Sequence, residues 1–165
     1  MKLSAISRQP SAKKIKNLTD LAKILKRLKS AGKKIVFTNG CFDILHVGHV
    51  TYLEKARSLG DILVVGLNSD RSVREIKGRG RPINKERDRA KILAGLSFVD
   101  YVTIFDEETP EELIRRLEPG VLVKGGDWDI SDIVGGNFVR SISGRVVTIP
   151  FVNGYSTTDL INKLK

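Results

Sequence analysis

Short apolar runs alternate with segments of helical periodicity along most of this chain. The runs are continuously apolar, which is typical of strands buried on both faces of a parallel sheet. They predict five strands, at residues 34–39, 61–68, 99–105, 121–123 and 144–149. The periodic segments predict helices at residues 50–59, 70–77, 85–96, from 109 onward, 131–141 and 156–164. This alternation favours one α/β domain of the Rossmann-like, doubly wound type: a five-stranded parallel sheet with helices on both faces.

A further helix precedes the first strand. Between Asn17 and Ala31 the apolar residues recur at three- and four-residue spacing, and Gly32 follows as a stop signal. Residues 1–16 are polar and basic and have no apolar period. We therefore expect a partly mobile basic leader over 1–16. The folded domain is expected over 17–165, opening with an amphipathic helix at 17–32.

The composition is that of an ordinary globular protein. The 165 residues are 41% hydrophobic and 29% charged, which is enough for a single core. No apolar run has the length of a bilayer crossing, and Met1 begins no signal-peptide pattern. The single cysteine, Cys41, fits a reducing compartment. We expect a cytoplasmic protein with no membrane partner.

The net charge of +10 suggests at first a surface for nucleic acid. Its distribution argues against that interpretation. Residues 1–34 contain eleven Lys and Arg and a single acid, whereas the remainder contains 18 of each sign. No aromatic residue that could stack on bases lies among the N-terminal cations. We therefore expect no nucleic-acid partner, although a nucleotide- or nucleic-acid-binding module remains the non-enzyme alternative.

The two histidines of the chain, His46 and His49, follow the first predicted strand and begin a helix. Their spacing places both imidazoles on one side of the first turn, where unpaired backbone N–H groups favour an anion. Gly48 would let a phosphate approach the backbone. Two imidazole donors at this position suit charge that develops during nucleotidyl transfer. The alternatives are a structural role for both, or a metal site, for which a further histidine or second cysteine is missing.

The segment around these histidines resembles a known signature. Residues 40–49, GCFDILHVGH, are similar to the G-x-F-D-x-x-H-x-G-H motif of the cytidylyltransferase-like nucleotidyltransferases. The resemblance implies that His46 and His49 contact the nucleotide phosphates and are catalytic. It also implies a Mg²⁺ ion held through those phosphates rather than by the protein alone. The nucleotide-binding residues expected from this segment are Asn39, Gly40, Cys41, Phe42, His46, Gly48 and His49, and Asp43 is expected to bind the sugar phosphate.

A second segment near the C-terminus, residues 154–158, resembles the G-x-S-T-T motif of the same family. There, hydroxyls and amides at a helix N-terminus hold nucleotide phosphates. By itself the segment could be only a helix cap made by Ser156 or Thr157. Because both motifs follow strands, they would meet at one edge of the sheet. The nucleotide-binding residues expected here are Gly154, Tyr155, Ser156, Thr157 and Thr158.

Several cations follow the second and fourth predicted strands. Arg79 and Arg81, in a glycine-rich loop, are interpreted as solvated surface charges. The family carries a lysine in this loop and an R-x-x-I helix after it. The resemblance therefore implies a catalytic and sugar-phosphate-binding role for Lys77 and a nucleotide-binding role for Arg89.

The segment after the fourth predicted strand, residues 124–128, offers two further polar candidates. Lys124 could reach a second phosphate. Asp127 could hold a ribose or sugar hydroxyl, or only cap the turn. We expect both to bind the sugar phosphate substrate.

Further stretches resemble one subgroup, the D-glycero-β-D-manno-heptose 1-phosphate adenylyltransferases, which occur alone or as the C-terminal half of a bifunctional kinase–adenylyltransferase. They are residues 37–40, 65–70, 80–84, 99–101, 105–106, 123–127 and 150–158. The resemblance implies a stand-alone enzyme that transfers AMP from ATP to the heptose 1-phosphate, for lipopolysaccharide core or related heptose-glycan synthesis. It also implies a homodimer or higher homo-oligomer.

Two related activities remain alternatives. Glycerol-3-phosphate cytidylyltransferases typically carry an arginine at the position of Phe151, and its absence here counts against that activity. The FAD synthetases of archaeal type share the histidine motif, so the base of the nucleotide is inferred from resemblance alone.

Overall fold

The computed structural model describes residues 10–126, 128–152 and 154–163. The strands are β1 (Ile35–Gly40), β2 (Ile62–Asn68), β3 (Tyr101–Phe105), β4 (Val121–Gly125) and β5 (Arg145–Ile149). The helices are α1 (Ser11–Lys14), α2 (Leu18–Ser30), α3 (Val47–Arg57), α4 (Asp70–Lys77), α5 (Glu86–Gly95), α6 (Glu111–Leu117), α7 (Gly136–Ser141) and α8 (Thr157–Lys163). Among these helices, none has the length and hydropathy that a membrane crossing requires.

The five strands form one parallel sheet in the order β3-β2-β1-β4-β5. The chain moves outward from β1 through β2 to β3, and then returns to the other side of β1 to add β4 and β5. The order therefore reverses between β1 and β4, and a crevice opens there at the carboxyl ends of the strands. The predicted fold class is confirmed.

Apolar side chains cover the sheet on both faces. Successive residues of a strand point to opposite faces, so Val36 and Phe37 belong to different core clusters. On one face β1 packs with Leu53 of α3 and Leu93 of α5. On the other face it packs with residues of α2, α6 and α7, among them Leu21, Leu25, Leu113, Ile114 and Val139. Because both faces are covered, the strand sequences are continuously apolar instead of alternating.

One predicted helix is interrupted. The segment 131–141 contains a 3₁₀ turn at Ile130–Asp132 and then α7. Gly135 separates them, with a left-handed backbone at φ +78°. A Cβ at this position would lie 2.6 Å from the Ile114 side chain, so both the conformation and the space require glycine. The break orients α7 onto the sheet.

The domain begins earlier than the sequence indicates. Lys14 and Ile15, placed in a mobile leader by their polar surroundings, belong to the packed structure. Lys14 is 2% exposed, and its Nζ donates to the carbonyls of Leu96 (3.0 Å) and Val99 (2.7 Å). Ile15 forms a parallel bridge with Val102 of β3. The anchor of this segment is a lysine, which an apolar periodicity does not detect. Residues 1–9 lie outside the described residues.

Substitution of the buried lysine tests this docking. Lys14→Met should lower the free energy of unfolding by about 1–3 kcal/mol, because the carbonyls of Leu96 and Val99, between α5 and β3, lose their donor. The measurement is urea denaturation followed by circular dichroism. Lys13→Met is the matched control, since Lys13 is an exposed neighbour in the same helix. Equal stability of the two variants would show that the contact of Lys14 adds nothing.

Candidate active site

A cavity of about 810 Å³ lies at the carboxyl ends of the strands, over the crevice between β1 and β4. It brings both sequence motifs together with residues that follow β2, β3 and β4. The predicted site residues that line it are Asn39, Gly40, Cys41, Phe42, Asp43, His46, Gly48, His49, Lys77, Lys124, Gly154, Tyr155, Ser156, Thr157 and Thr158. Arg89 does not line it, and Asp127 lies outside the described residues.

The two histidines form a stacked pair at the start of α3. His46 is the residue before the helix, and its carbonyl accepts from the backbone N–H of His49 at 2.9 Å and of Val50 at 3.2 Å. The imidazole centroids are 3.8 Å apart with 25° between the ring planes. Both rings therefore reach the cavity beside the positive end of an eleven-residue helix.

Both imidazoles are neutral at pH 7. Burial, with a smaller contribution from the adjacent His46, lowers the pKa of His49 to about 4, although a hydrogen bond to the backbone of Ile44 opposes the shift. Burial also lowers the pKa of His46. The Nδ1 atoms of both rings are buried and have no hydrogen-bond partner among the described residues. Such orphan atoms are costly in a folded protein unless a ligand or water satisfies them, so each ring has one nitrogen still available to a ligand.

Gly48 and Tyr155 join the two motifs. A Cβ at Gly48 would lie 3.0 Å from the His46 ring and 3.2 Å from the Cβ of Tyr155, so the close packing depends on glycine. The Tyr155 ring stacks on His46 with a centroid distance of 6.5 Å. Thr157, the first residue of α8, donates its hydroxyl to the Ile44 carbonyl at 3.4 Å. This contact fixes residues 156–158, the STT segment, against the turn that carries His46 and His49, the histidine turn.

The carboxylate of Asp43 is hydrogen-bonded to other groups of the protein. Its carboxylate, 2% exposed, accepts from Arg81 Nε (2.6 Å) and from the backbone N–H groups of Ile83 (2.8 Å) and Asn84 (2.9 Å). Burial alone would raise the pKa of this carboxyl, but the two backbone donors and Arg81 outweigh it and hold the pKa below its usual value. Asp43 ties the loop before α5 to the histidine turn, in place of the predicted contact with sugar phosphate. Arg81 is likewise an ion-pair partner, only 17% exposed, and not the solvated charge that the sequence indicated.

Arg89 also differs from its prediction as a phosphate ligand. It is 1% exposed, and its guanidinium donates to the carbonyls of Cys41, Asn68 and Asn84 and to the carboxylate of Asp70. These four acceptors come from three separate parts of the chain: the segment after β1, the junction of β2 and α4, and the loop before α5. Arg89 therefore binds the protein and has no access to the cavity in this conformation.

The two lysines of the site differ in their surroundings. Lys77 ends α4 and is exposed at the cavity rim, where it is free to meet a phosphate. Lys124 lies on β4 and is partly buried, and its Nζ is 5.8 Å from the centroid of the Trp128 ring. Burial lowers the pKa of Lys124, and the nearby Cys41 partly opposes that shift. An anion in the cavity would relieve this desolvation by pairing with the ammonium group.

Three further aromatic residues that line the cavity, Tyr52, Trp128 and Phe151, were not among the site residues that the sequence predicted. Tyr52 hydroxyl and Thr38 Oγ1 are 2.6 Å apart, and burial raises the pKa of Tyr52 to about 12. Tyr52 lies three residues beyond His49, a spacing that could have indicated it. Trp128 and Phe151, which are 53% and 70% exposed, have no such signal because they lie in irregular segments.

Paired histidines at the reversal point of a parallel sheet are the arrangement that the resemblance to the nucleotidyltransferases implies. The chain belongs to the cytidylyltransferase-like family, whose model matches residues 37–163. The predicted family and the predicted enzyme class, a nucleotidyltransferase, are confirmed.

Curated relatives and solved structures agree with this assignment. Bifunctional protein HldE of Geobacter metallireducens is 60% identical over 151 residues, which are 92% of this chain and 31% of that protein. Its namesake in Aliarcobacter butzleri is 52% identical over 98% of this chain and 33% of that protein. The chain thus spans about a third of the length of the curated relatives it matches.

Two solved structures are similar as well. A lipopolysaccharide core biosynthesis protein from Thermoplasma volcanium has a TM-score of 0.61 and 28% identity, covering 76% of this chain and 100% of that one. A pantoate-beta-alanine ligase from Francisella tularensis, complexed with beta-gamma ATP and beta-alanine, has a TM-score of 0.61 at 17% identity over 91% of this chain and 77% of that one. The second likeness shows the fold alone.

The low pKa of His49 makes a prediction about stability. The folded-state pKa is about 4 and the ordinary value is 6.5, so the native state resists protonation. The contribution of His49 is present above pH 6.5 and is lost as the pH falls towards 4, up to about 2–3 kcal/mol. The measurement is the free energy of unfolding at pH 7 and pH 4 for the wild type and His49→Gln. The wild type should lose more stability than the variant, and equal losses would contradict the neutral, buried state of His49.

Proposed function

We propose that this chain transfers AMP from ATP to D-glycero-β-D-manno-heptose 1-phosphate, giving ADP-heptose and pyrophosphate for lipopolysaccharide core or related heptose-glycan synthesis. The observation that carries the proposal is the stacked, neutral histidine pair, which shares one cavity with the STT segment. The subgroup resemblance of the sequence supports the choice of substrates. The likeness to a lipopolysaccharide core biosynthesis protein supports it further.

The reaction needs no general base. A sugar 1-phosphate is already anionic at neutral pH, so its oxygen can attack the α-phosphorus of ATP directly. A new P–O bond forms to the sugar phosphate as the bond to the β-phosphate oxygen breaks, and pyrophosphate leaves with that electron pair. The protein has to align two anions that repel each other and to offset the charge on the transferring phosphoryl group.

Different residues of the cavity align the substrates and offset their charge. His46 and His49 donate to the oxygens of the transferring phosphate, where a neutral donor in a poorly solvated site is effective. The backbone at Cys41 and Phe42, together with Ser156, Thr157 and Thr158, holds the remaining phosphates in this proposal. Lys77, which follows β2, and Lys124, on β4, enter the cavity from opposite sides of β1. In this proposal the two ammonium groups together offset the negative charge of the sugar phosphate and of the leaving pyrophosphate.

A Mg²⁺ ion fits this site as a companion of ATP. The carboxylate of Asp43 is already engaged by Arg81 and two backbone amides, so it is not a free metal ligand. Within the described residues no cluster of three or more His, Cys, Asp or Glu offers a complete ligand set. We propose that the triphosphate supplies the ligands and that the ion offsets phosphate charge.

Phe151 favours this function over glycerol-3-phosphate cytidylyltransferase. Its ring packs on the backbone after β4, where a Cβ on Gly126 would lie 2.7 Å from it. The position that carries an arginine in that alternative family therefore presents an apolar surface to the cavity. The lone cysteine and the use of ATP support a cytoplasmic location, and a homodimer remains our proposal for the assembly.

A pyrophosphate-release assay tests the proposed substrates. ATP and CTP are each combined with D-glycero-β-D-manno-heptose 1-phosphate and with glycerol 3-phosphate. Release is expected only when ATP meets the heptose phosphate. Turnover with CTP and glycerol 3-phosphate would favour the cytidylyltransferase alternative. No release in any combination, with binding of nucleic acid that weakens steeply with salt, would favour the non-enzyme alternative.

Removal of one imidazole tests the mechanism. His49→Ala should lower kcat about a hundredfold or more, the scale seen when a preorganised donor to a developing oxyanion is lost. Arg79→Ala is the control, because Arg79 is exposed in the adjacent loop and does not line the cavity. A near wild-type kcat for His49→Ala would remove His49 from the mechanism.

A further inference from the structure

The buried guanidinium of Arg89 controls the orientation of one peptide group in the cavity wall. The Cys41 carbonyl accepts from Arg89 Nη1 at 2.6 Å, the shortest of the bonds that this side chain makes. In a trans peptide the carbonyl and the following N–H point in opposite directions. With the Cys41 carbonyl directed at Arg89, away from the cavity, the N–H of Phe42 is directed to the cavity side.

The backbone at Phe42 adopts this orientation at a cost in conformational energy. Its φ is +43°, in the left-handed region that a bulky side chain rarely occupies. Such a conformation persists only where the surroundings fix it. The Phe42 ring is held against His49 in an edge contact with a centroid distance of 5.2 Å. The N–H of Phe42 makes no hydrogen bond within the part of the chain that the structure describes.

Arg89 is itself held in place from several directions. Its Nη1 also donates to the Asn68 carbonyl at the end of β2, and its Nε donates to the Asn84 carbonyl. Its Nη2 pairs with Asp70 at 2.8 Å. Asp70 and Glu86 exchange two hydrogen bonds of 2.8 Å, each side chain accepting from the backbone N–H of the other. The guanidinium therefore has one position, fixed by the starts of α4 and α5.

We propose that Arg89 is a positioning residue, which presents the Phe42 N–H as a donor to a phosphate of the bound nucleotide without touching the nucleotide. The inference depends on the proposed function only in taking a nucleoside triphosphate as the ligand. Arg89 thus acts on nucleotide binding through a backbone donor next to the histidine pair. A lysine cannot reproduce the role, because a single ammonium cannot reach acceptors in three separate segments at once.

The test uses ATP with Mg²⁺ in the absence of any sugar phosphate, so that binding is measured apart from turnover. In the wild type, the amide proton of Phe42 should move downfield on titration with ATP in ¹H–¹⁵N NMR spectra, as a new N–H to phosphate bond requires. In Arg89→Lys this shift should be smaller, and the dissociation constant for ATP, measured by calorimetry, should rise about tenfold or more.

Arg57→Met is the matched control for general loss of stability. Arg57 also forms an ion pair, with Asp100 at 3.0 Å, and a carbonyl bond, with Gly60 at 2.6 Å, but it lies away from the cavity. The Arg57→Met variant should bind ATP with the affinity of the wild type, even if its melting temperature is lower.

Three results would overturn the proposal: a Phe42 amide that is unmoved by ATP in the wild type, Arg89→Lys with wild-type affinity, or equal weakening in Arg57→Met. If Arg89→Lys fails to fold, the wild-type titration can still overturn the proposal, because an unmoved Phe42 amide would remove the donor that Arg89 is proposed to position. Failure of the proposed function looks different, because the Phe42 shift would be present while no AMP reaches the heptose phosphate.

Discussion

Burial in a poorly solvated turn, more than their mutual repulsion at 3.8 Å, keeps the stacked imidazoles of His46 and His49 neutral at pH 7. This constraint determines the character of the site. Each ring also has a buried Nδ1 atom without a hydrogen-bond partner among the described residues, which a ligand in the cavity would satisfy. The positive end of α3 acts in the same direction.

The rest of the fold serves to bring this pair to the edge of the sheet. The reversal of strand order between β1 and β4 opens the crevice, and a glycine at position 48 leaves room for the His46 ring and for Tyr155. The buried Asp43 carboxylate accepts from the Asn84 N–H and so joins the histidine turn to the loop before α5, while Arg89 of α5 donates to the Cys41 carbonyl. Electrostatic preorganisation of this kind does not have to be assembled during the reaction.

The sequence was sufficient for features that depend on neighbouring residues. The alternation of apolar runs and periodic segments predicted the parallel sheet, and a contiguous motif predicted that His46 and His49 would share one turn. It was insufficient for Lys14, Arg81 and Arg89, because a cation has the same local pattern whether its partners are water, phosphate or carbonyls distant in sequence. Lys14 meets carbonyls more than eighty residues away, and Arg89 meets one 48 residues away. Burial of such charges is decided by tertiary packing, which a local pattern does not contain.

We infer that the imidazole pair contacts the oxygens of the phosphoryl group under attack. A crystal structure of the enzyme with a non-hydrolysable ATP analogue is the decisive experiment. We expect a ring nitrogen of His46 and one of His49 within hydrogen-bond distance of oxygens on the α-phosphate or its bridge to the β-phosphate. A triphosphate bound elsewhere in the cavity, with both rings facing away from it, would contradict this role of the histidines.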